Sequence, residues 1–337
     1  MLLFTLALQP STLLAQGSLT PPGAPAPTMK TLQQVEPRVP ISSAPFTISQ
    51  PGSYYLTTNL TVSGGDAITI ATNGVTLDLN GFTISSTTNP ASGTAVLIGS
   101  GLRNIAIQNG HIQGGVTNNG SGVFSGPGFG YGIYYFGSDL QNVRVSGVSV
   151  SGCLYHGIYV DNGESTTVEN CVVRTVGSYG IVASTIRGCV ALDCAGTAIN
   201  GQQVSDSRGQ SVSSNYGLYA ATTAQNCYGY SSSSGYGLLA TTAQNCYGSS
   251  GSGTGLYAER TAIGCSGYSG SGTGLYAYGT AIGCYGNSSS GTRGLYAQNA
   301  SFCTGQRSGG RAIEATIANG CWAIAGTNLI AYKYNMP

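Results

Sequence analysis

The chain of 337 residues contains only 7% charged residues and has a net charge of +1, whereas ordinary globular domains contain about 25% charged residues. Lysines and arginines form no cluster along the sequence, which argues against a nucleic-acid groove or an anionic membrane surface as partner. With 41% hydrophobic residues, the chain is also unlike a disordered protein, which is rich in charge and poor in apolar side chains.

Residues 1–16, MLLFTLALQPSTLLAQ, are apolar with small residues near Ala15, a pattern typical of the hydrophobic region and cleavage site of a secretory signal peptide. The positive residues that usually precede such a region are missing. The segment is too short to span a bilayer and is interrupted by Pro10, and no later segment has the length of a membrane helix. The sequence therefore predicts a secreted or cell-surface protein without a membrane span.

Residues 17–45 contain most of the 12 prolines, which predicts a stiff linker or a strap. Beyond them, short runs of alternating or β-branched apolar residues are separated by turn residues such as Asn80 and Gly81. Almost no stretch has the spacing of an amphipathic helix. The pattern predicts an all-β domain over residues 46–337, with an N-terminal cap (46–74) and a C-terminal cap (322–337).

A repeated G-[IL]-x-x unit indicates how this domain is built. Its first residue, Gly or in two copies Ala, stands at positions 132, 157, 180, 198, 217, 237, 255, 274, 294 and 312. A period near 20 residues is typical of solenoids, whose units bury their apolar faces by stacking. Each unit has room for about three short strands and for no helix, so we predict a single-stranded parallel β-helix of about twelve coils, with roughly 18–20 residues per coil in the C-terminal half. Matching aliphatic residues do not recur every six positions, as in left-handed hexapeptide helices, so the right-handed form is favoured.

Cysteines recur at the same interval, at Cys171, Cys189, Cys227, Cys246, Cys265, Cys284, Cys303 and Cys321. The same slot holds Val148 and Ser207 in other coils, which indicates a small, buried, inward-facing position. Stacked parallel side chains keep their Cβ atoms about 4.8 Å apart, beyond the usual range for a disulfide. We therefore predict an unoxidised structural ladder, and no metal site, because the chain contains no CxxC pair.

Aromatic residues recur at two outward positions. The third position of the repeat holds Tyr134, Tyr159, Tyr219, Tyr257, Tyr276 and Tyr296, and the position after the cysteine holds Tyr228, Tyr247, Tyr285 and Trp322. In-register rings stack between coils, and each pair contributes about 0.5–1.5 kcal/mol. The same columns would also form an aromatic face able to bind a polysaccharide or a cell-surface component, and the two interpretations are compatible.

Three segments resemble the coils of a known superfamily. PGSYYLTTNLTV and ITIATNGVTLDLNGFTIS, within residues 51–85, resemble the opening coils of bacterial right-handed β-helix proteins of the pectin-lyase-like superfamily. LRNIAIQNGHIQGG (102–115) and LQNVRVSGVSVSG (140–152) resemble its standard coils. The resemblance implies the fold for nearly everything after residue 45. It implies no single function, because the superfamily includes glycan-cleaving enzymes, phage tailspikes and adhesins.

The enzymes of this superfamily use carboxylates, either as a calcium-binding Asp cluster or as an acid and base pair. The densest group of ionisable residues here lies within residues 117–174, where Asp139, His156 and Asp161 are weak catalytic candidates, but no DxD or DD pair occurs among them. The main hypothesis is therefore an exported, non-catalytic β-helix protein with a structural, adhesive or glycan-contacting role and no cofactor. One alternative is a lyase or glycoside hydrolase acting on acidic polysaccharide, which could use calcium. The other is a self-assembling extracellular rod.

Overall fold

The computed structural model describes residues 36–135, 137, 140–160 and 165–336. The fold is that of the compact unit Arg38–Pro337. The predicted signal peptide and most of the predicted strap lie outside the described residues. The first strand begins at Val39, within the segment that was predicted to be a strap.

The described residues contain 31 strands and no helix. The strands of the first part are β1 (Val39–Ile41), β2 (Phe46–Ile48), β3 (Gly52–Leu56), β4 (Leu60–Val62), β5 (Ile68–Ile70), β6 (Val75–Asp78), β7 (Thr83–Ser86), β8 (Thr94–Ile98), β9 (Arg103–Gln113), β10 (Thr117–Asn118), β11 (Phe124–Ser125), β12 (Tyr131–Tyr135), β13 (Gln141–Cys153), β14 (Ile158–Tyr159), β15 (Thr166–Glu169) and β16 (Val172–Val176). The strands of the second part are β17 (Ile181–Arg187), β18 (Val190–Cys194), β19 (Ile199–Ser205), β20 (Arg208–Ser211), β21 (Leu218–Gln225), β22 (Tyr228–Ser231), β23 (Leu238–Gln244), β24 (Tyr247–Ser250), β25 (Leu256–Ile263), β26 (Ser266–Ser269), β27 (Leu275–Ile282), β28 (Tyr285–Ser288), β29 (Arg293–Ser301), β30 (Thr304–Asn319) and β31 (Trp322–Tyr334).

The strands wind into a parallel β-helix with three faces. In the first full coil the faces are β2, β3 and β4, which pair in parallel with β5, β6 and β7 of the next coil. From β17 to β29 a single strand continues across the first two faces and a second strand forms the third face, whereas β30 continues across all three faces. The antiparallel hairpin of β10 and β11 is separate from this sheet. The predicted parallel β-helix is confirmed, with about fifteen turns rather than the predicted twelve.

The corner between the second and third faces requires a left-handed backbone. Its residues have φ between 51° and 64° and stand in register from coil to coil: Asn109, Gly147, Asn170, Gly188, Asp206, Asn226, Asn245, Gly264, Gly283, Phe302 and Gly320. Glycine, asparagine and aspartate are the residues that adopt this conformation at least cost. In eight of these coils the residue after the corner is the cysteine of the repeat, so the corner chemistry explains why Asn or Gly so often precedes Cys.

Phe302 is the exception at this corner, since it has a φ of 53° and its side chain is 68% exposed. We expect F302G to raise the free energy of unfolding by about 1 kcal/mol, because a bulky residue in the left-handed region costs about 1–2 kcal/mol and the exposed ring contributes little burial. Urea unfolding followed by circular dichroism measures the change. N245G, at a corner position already occupied by a suitable residue, serves as the control and should change stability by a few tenths of a kcal/mol. A less stable F302G would show that the ring itself stabilises the coil.

The interior becomes thinner toward the C-terminus. One inward position on the third face is occupied in successive coils by Val150, Val173, Ala191, Gly209, Gly229, Gly248, Gly267, Gly286 and Gly305. Opposite this position lies the glycine that opens the G-[IL]-x-x unit. A Cβ added at Gly248 would lie 2.2 Å from the carbonyl oxygen of Gly255, and one added at Gly255 would lie 2.3 Å from that of Tyr268. Two backbones therefore meet across the interior without side chains between them, a contact that the sequence analysis did not predict.

Aliphatic side chains fill the remainder of the interior. The second residue of each repeat is fully buried, as the sequence pattern predicts, from Ile133 and Ile158 to Leu275, Leu295 and Ile313. These residues form one continuous core that runs from Ile41 to Cys321. Burial of the core and the parallel hydrogen-bond ladder together hold the outward positions of successive coils in a fixed register. Outward aromatic side chains of neighbouring coils therefore lie next to one another.

Candidate functional site

Two outward columns of aromatic residues lie side by side on the first face. One column holds the residue before the repeat glycine, and the other holds the residue two positions after it. We call their aromatic members the tyrosine strip: Tyr131, Tyr134, His156, Tyr159, Tyr179, Tyr216, Tyr219, Tyr236, Tyr257, Tyr276 and Tyr296. All of them are half-buried. The strip extends over nine coils, roughly 40 Å at about 4.8 Å per coil.

In the C-terminal half of the strip, the rings stack face to face along the rod. Centroid distances fall from 5.4 Å for Tyr216 and Tyr236, through 5.2 and 4.8 Å, to 4.5 Å for Tyr276 and Tyr296. Interplanar angles in this ladder lie between 3° and 16°. Each interior ring therefore has both faces covered by its neighbours, so the ring edges and hydroxyl groups are the parts directed away from the stack.

In the N-terminal half, the rings are tilted around His156. The imidazole lies 5.0 Å from the ring of Tyr159 and 5.8 Å from that of Tyr134, at angles of 26° and 28°. Tyr131 and Tyr179 approach the same imidazole at 5.4 and 5.5 Å with larger angles. His156, which the sequence analysis proposed as a weak catalytic candidate, is thus surrounded by aromatic rings. Burial lowers its pKa to about 4, so the imidazole is neutral at pH 7.

The strip includes residues that the sequence analysis missed. Tyr131, Tyr179, Tyr216 and Tyr236 all immediately precede the repeat residue, a signal that was present in the sequence. Tyr236 completes the ladder because Leu239 occupies the register position between Tyr219 and Tyr257. Tyr219 accordingly contacts Tyr216, at 6.1 Å, rather than a ring of the next coil.

In the second predicted column, only some of the aromatic rings contact one another. Tyr228 and Tyr247 stack at 5.2 Å and 13°, and the guanidinium of Arg208 lies 5.1 Å from the Tyr228 ring. Ser266 separates Tyr247 from Tyr285 in the register, and Thr304 separates Tyr285 from Trp322. This column therefore has no continuous ladder.

The cysteines of the repeat lie in one buried column, interrupted by Ser207 between Cys189 and Cys227. The backbone N–H of Cys171 donates to Sγ of Cys189 at 3.5 Å, and that of Cys303 donates in the same way to Sγ of Cys321. Ser207 takes the same role, since its hydroxyl oxygen accepts from the N–H of Cys189 at 3.1 Å. All ten cysteines are free thiols, and burial raises the pKa of the separate Cys153 to about 12. The sulfur atoms thus complete backbone hydrogen bonding inside the rod.

The hydroxyls of Tyr257 and Tyr276 in the strip remain protonated at neutral pH. Burial raises the pKa of Tyr257, with a further contribution from Tyr236, and burial together with Tyr296 does the same for Tyr276. A phenol that keeps its proton can both donate and accept a hydrogen bond. Two buried polar atoms at these outward positions have no hydrogen-bond partner. They are Nδ1 of His156 and Oδ1 of Asn200, which stands in register with Tyr219.

Among the described residues of the predicted enzymatic region (117–174), no two carboxylates form an acid and base pair. Asp139 and Asp161 lie outside the described residues. Glu169 binds Arg144 at 2.5 Å, and Asp193 accepts hydrogen bonds from Asn118 at 2.7 Å and from Thr175 at 2.9 Å. Asn118 belongs to the hairpin of β10 and β11, so its contact with Asp193 fastens this long excursion to the later coils. Among the residues that the structure describes, no group of three His, Cys, Asp or Glu side chains could hold a metal ion.

Comparisons with known proteins give limited similarity. No family profile and no curated protein matches the chain. Among solved structures, the chain is similar to the Dettilon tailspike protein, with 11% identity and a TM-score of 0.35 over 88% of this chain and 61% of that one. It is also similar to the ORF18 protein of Geobacillus virus E2, with 12% identity and a TM-score of 0.28 over 85% and 53%. The chain thus spans less than two thirds of the length of either protein. In its described part, no helix is long and apolar enough to cross a membrane.

Proposed function

We propose that the protein is a non-catalytic rod that binds a neutral glycan along the tyrosine strip. The observation that carries the proposal is the unbroken ladder from Tyr216 to Tyr296, whose hydroxyl-bearing ring edges follow one side of the rod at intervals of about one coil. A linear polymer with many hydroxyl groups offers donors and acceptors at a comparable spacing. The predicted signal peptide would direct such a rod to the outside of the cell.

The geometry favours contact through ring edges rather than through ring faces. In the ladder, the faces of Tyr236, Tyr257 and Tyr276 are covered by neighbouring rings, so a sugar ring cannot stack on them. The hydroxyl groups can instead exchange hydrogen bonds with the ligand, each contributing about 0.5–1.5 kcal/mol net. The stacking supplies rigidity, so the side chains lose little conformational entropy when a ligand binds. The ladder in this proposal both stabilises the rod and preorganises the binding surface.

The low charge of the chain supports a neutral ligand for this surface. Described carboxylates outside the strip are engaged with neighbouring groups, for example Asp206 with Asn226 at 3.0 Å and Glu259 with Thr241 at 2.8 Å. The unpartnered atoms of His156 and Asn200 lie within the strip columns, where a ligand hydroxyl or a water molecule would satisfy them after a small side-chain movement.

The proposal is tested by affinity electrophoresis of the protein in gels that contain a neutral β-glucan, xylan or galactomannan. We expect Y257F/Y276F/Y296F to keep the stacked rings and the fold but to weaken binding at least about tenfold, because three hydroxyl groups are lost. Y268F/Y285F is the matched control, since these hydroxyls bind Ser289 and Gln306 on another part of the surface. Failure of the protein to bind any neutral glycan, or equal loss in both variants, would contradict the proposal. Incubation with the bound glycan should release no fragments.

A further inference from the structure

A cavity of about 750 Å³ lies beside the C-terminal end of the tyrosine strip. Three arginines line it, Arg293, Arg307 and Arg311, together with small and hydroxylated residues such as Ser290, Gly291 and Thr327. We call it the arginine cavity. It is separate from the strip, but the guanidinium of Arg293 lies 5.3 Å from the ring of Tyr296, so the two surfaces adjoin.

The cavity brings together arginines that are not adjacent in the sequence. Three of the 12 lysines and arginines of the chain line it; Arg293 and Arg311 are 18 positions apart in the sequence, and Arg307 lies between them. Arg293 and Arg311 stand in register on adjacent coils, which is why the fold unites them. Glu314 is the acid that contacts them, so three guanidinium groups and one carboxylate leave a local charge of +2. The absence of a basic cluster in the sequence therefore does not extend to the folded surface.

The guanidinium groups are held in place with donors to spare. Glu314 accepts from Nε of Arg293 at 2.5 Å and from Arg311 at 2.7 Å, and these bonds lower its pKa although its burial acts in the opposite direction. Arg307 donates to the carbonyl oxygens of Ser289, Ser290 and Gly291. Each guanidinium has five N–H donors, and the bonds described for the three arginines use fewer than half of the total.

Fixed guanidinium groups with unused donors are the usual recognition elements for carboxylate, sulfate and phosphate groups, which accept paired hydrogen bonds. A stretch of nucleic acid would need a longer basic surface than three arginines on neighbouring coils provide. We propose that the arginine cavity binds a single oxyanion, either free or carried as a substituent on a polymer. This site is independent of the neutral-glycan contact proposed for the strip, since it uses different residues and a different interaction.

The test is a calorimetric titration of the full chain with inorganic phosphate and, separately, with sulfate at low ionic strength. We expect R293Q/R311Q to weaken phosphate binding at least about tenfold, since charge-assisted hydrogen bonds are lost. E314Q should strengthen binding several-fold, because it removes the competing carboxylate. R260Q, which changes an exposed arginine of β25, is the control and should stay within about twofold. Unchanged binding in R293Q/R311Q, or an equal loss in R260Q, would overturn the proposal.

A second set of measurements identifies the source of the oxyanion. It also tests the site if R293Q/R311Q fails to fold. In that case E314Q decides, and unchanged or weaker phosphate binding by this variant would overturn the site. Dextran sulfate is then compared with inorganic sulfate and with unmodified dextran. Binding at least about tenfold tighter per sulfate group supports a polymer-borne ligand, and equal binding supports a free anion at the same site. Because phosphate alone tests the cavity, failure of neutral glycans to bind would leave this result unaffected.

Discussion

Replacing Gly274 with alanine is expected to destabilise the rod by about 3 kcal/mol or more. A Cβ at this position would lie 2.4 Å from both the backbone nitrogen and the carbonyl oxygen of Asn287, and no side-chain rotation can relieve contacts with backbone atoms. Overpacking of this kind forces the backbone of neighbouring coils apart. Urea unfolding of G274A, followed by far-ultraviolet circular dichroism, measures the loss.

Gly64 provides the matched control for this substitution. A Cβ added there meets no atom within 4 Å, and its φ lies outside the left-handed region. G64A should therefore be neutral or slightly stabilising, because alanine restricts the unfolded chain more than glycine does. If G274A were as stable as G64A, the close approach of the two backbones would not exist.

Replacing Tyr276 with alanine is expected to lower the free energy of unfolding by about 1–3 kcal/mol, because the ring stacks on two neighbours. Its centroid lies 4.8 Å from that of Tyr257 and 4.5 Å from that of Tyr296. Y276F keeps both stacking contacts and should lose less than half as much stability. Thermal unfolding of the three proteins, with two-state behaviour tested first, measures the differences.

Tyr278 serves as the control for the loss of an aromatic ring. Its side chain is 56% exposed, and no ring contact involves it in the described part of the chain. We expect Y278A to change stability by no more than about 0.5 kcal/mol, the usual range for an exposed position. Equal destabilisation by Y276A and Y278A would show that stacking contributes nothing beyond the general burial of tyrosine.

The fold could be predicted from the sequence because its repeat can be recognised within short stretches of the chain. A repeat of 18–20 residues, an aliphatic residue after each glycine and turn residues between short runs leave few architectures other than a parallel β-helix. The predicted count of about twelve was somewhat low because the predicted caps are themselves coils: β2, β3 and β4 lie in the N-terminal cap and β31 in the C-terminal cap, while β1 begins before the predicted domain start.

Three-dimensional contacts across the interior could not be predicted in the same way. The glycines of the third face, such as Gly248, appear in the sequence as turn residues, yet they are strand residues that allow backbone contact. Likewise, Tyr236 stands in the other column from Tyr257, and its ring stacks on that of Tyr257 because Leu239 places no ring at the register position before Tyr257. Such contacts follow from the register, which only the folded chain reveals.

The candidate surfaces were predictable to different extents. The outward tyrosines follow from strand alternation, so Tyr257, Tyr276 and Tyr296 could be identified from the repeat alone. The arginine cavity could not, because Arg293 and Arg311 meet only when consecutive coils are superposed, and Arg307 reaches them from the third face. The turn glycines that shape the cavity carry no sequence signal of their function.

The narrow interior of the C-terminal coils affects which changes in coil number the rod can accommodate. From Gly209 to Gly305, consecutive coils have the same width, the same corner and the same buried thiol or hydroxyl, so a duplicated or deleted unit would find matching neighbours on both sides. Between Val173 and Gly209 the residue at this position changes from valine through Ala191 to glycine, so an exchanged unit there would not match both of its neighbours. We therefore expect the C-terminal half to accept the gain or loss of whole coils, and the N-terminal half to require its coils in their present order.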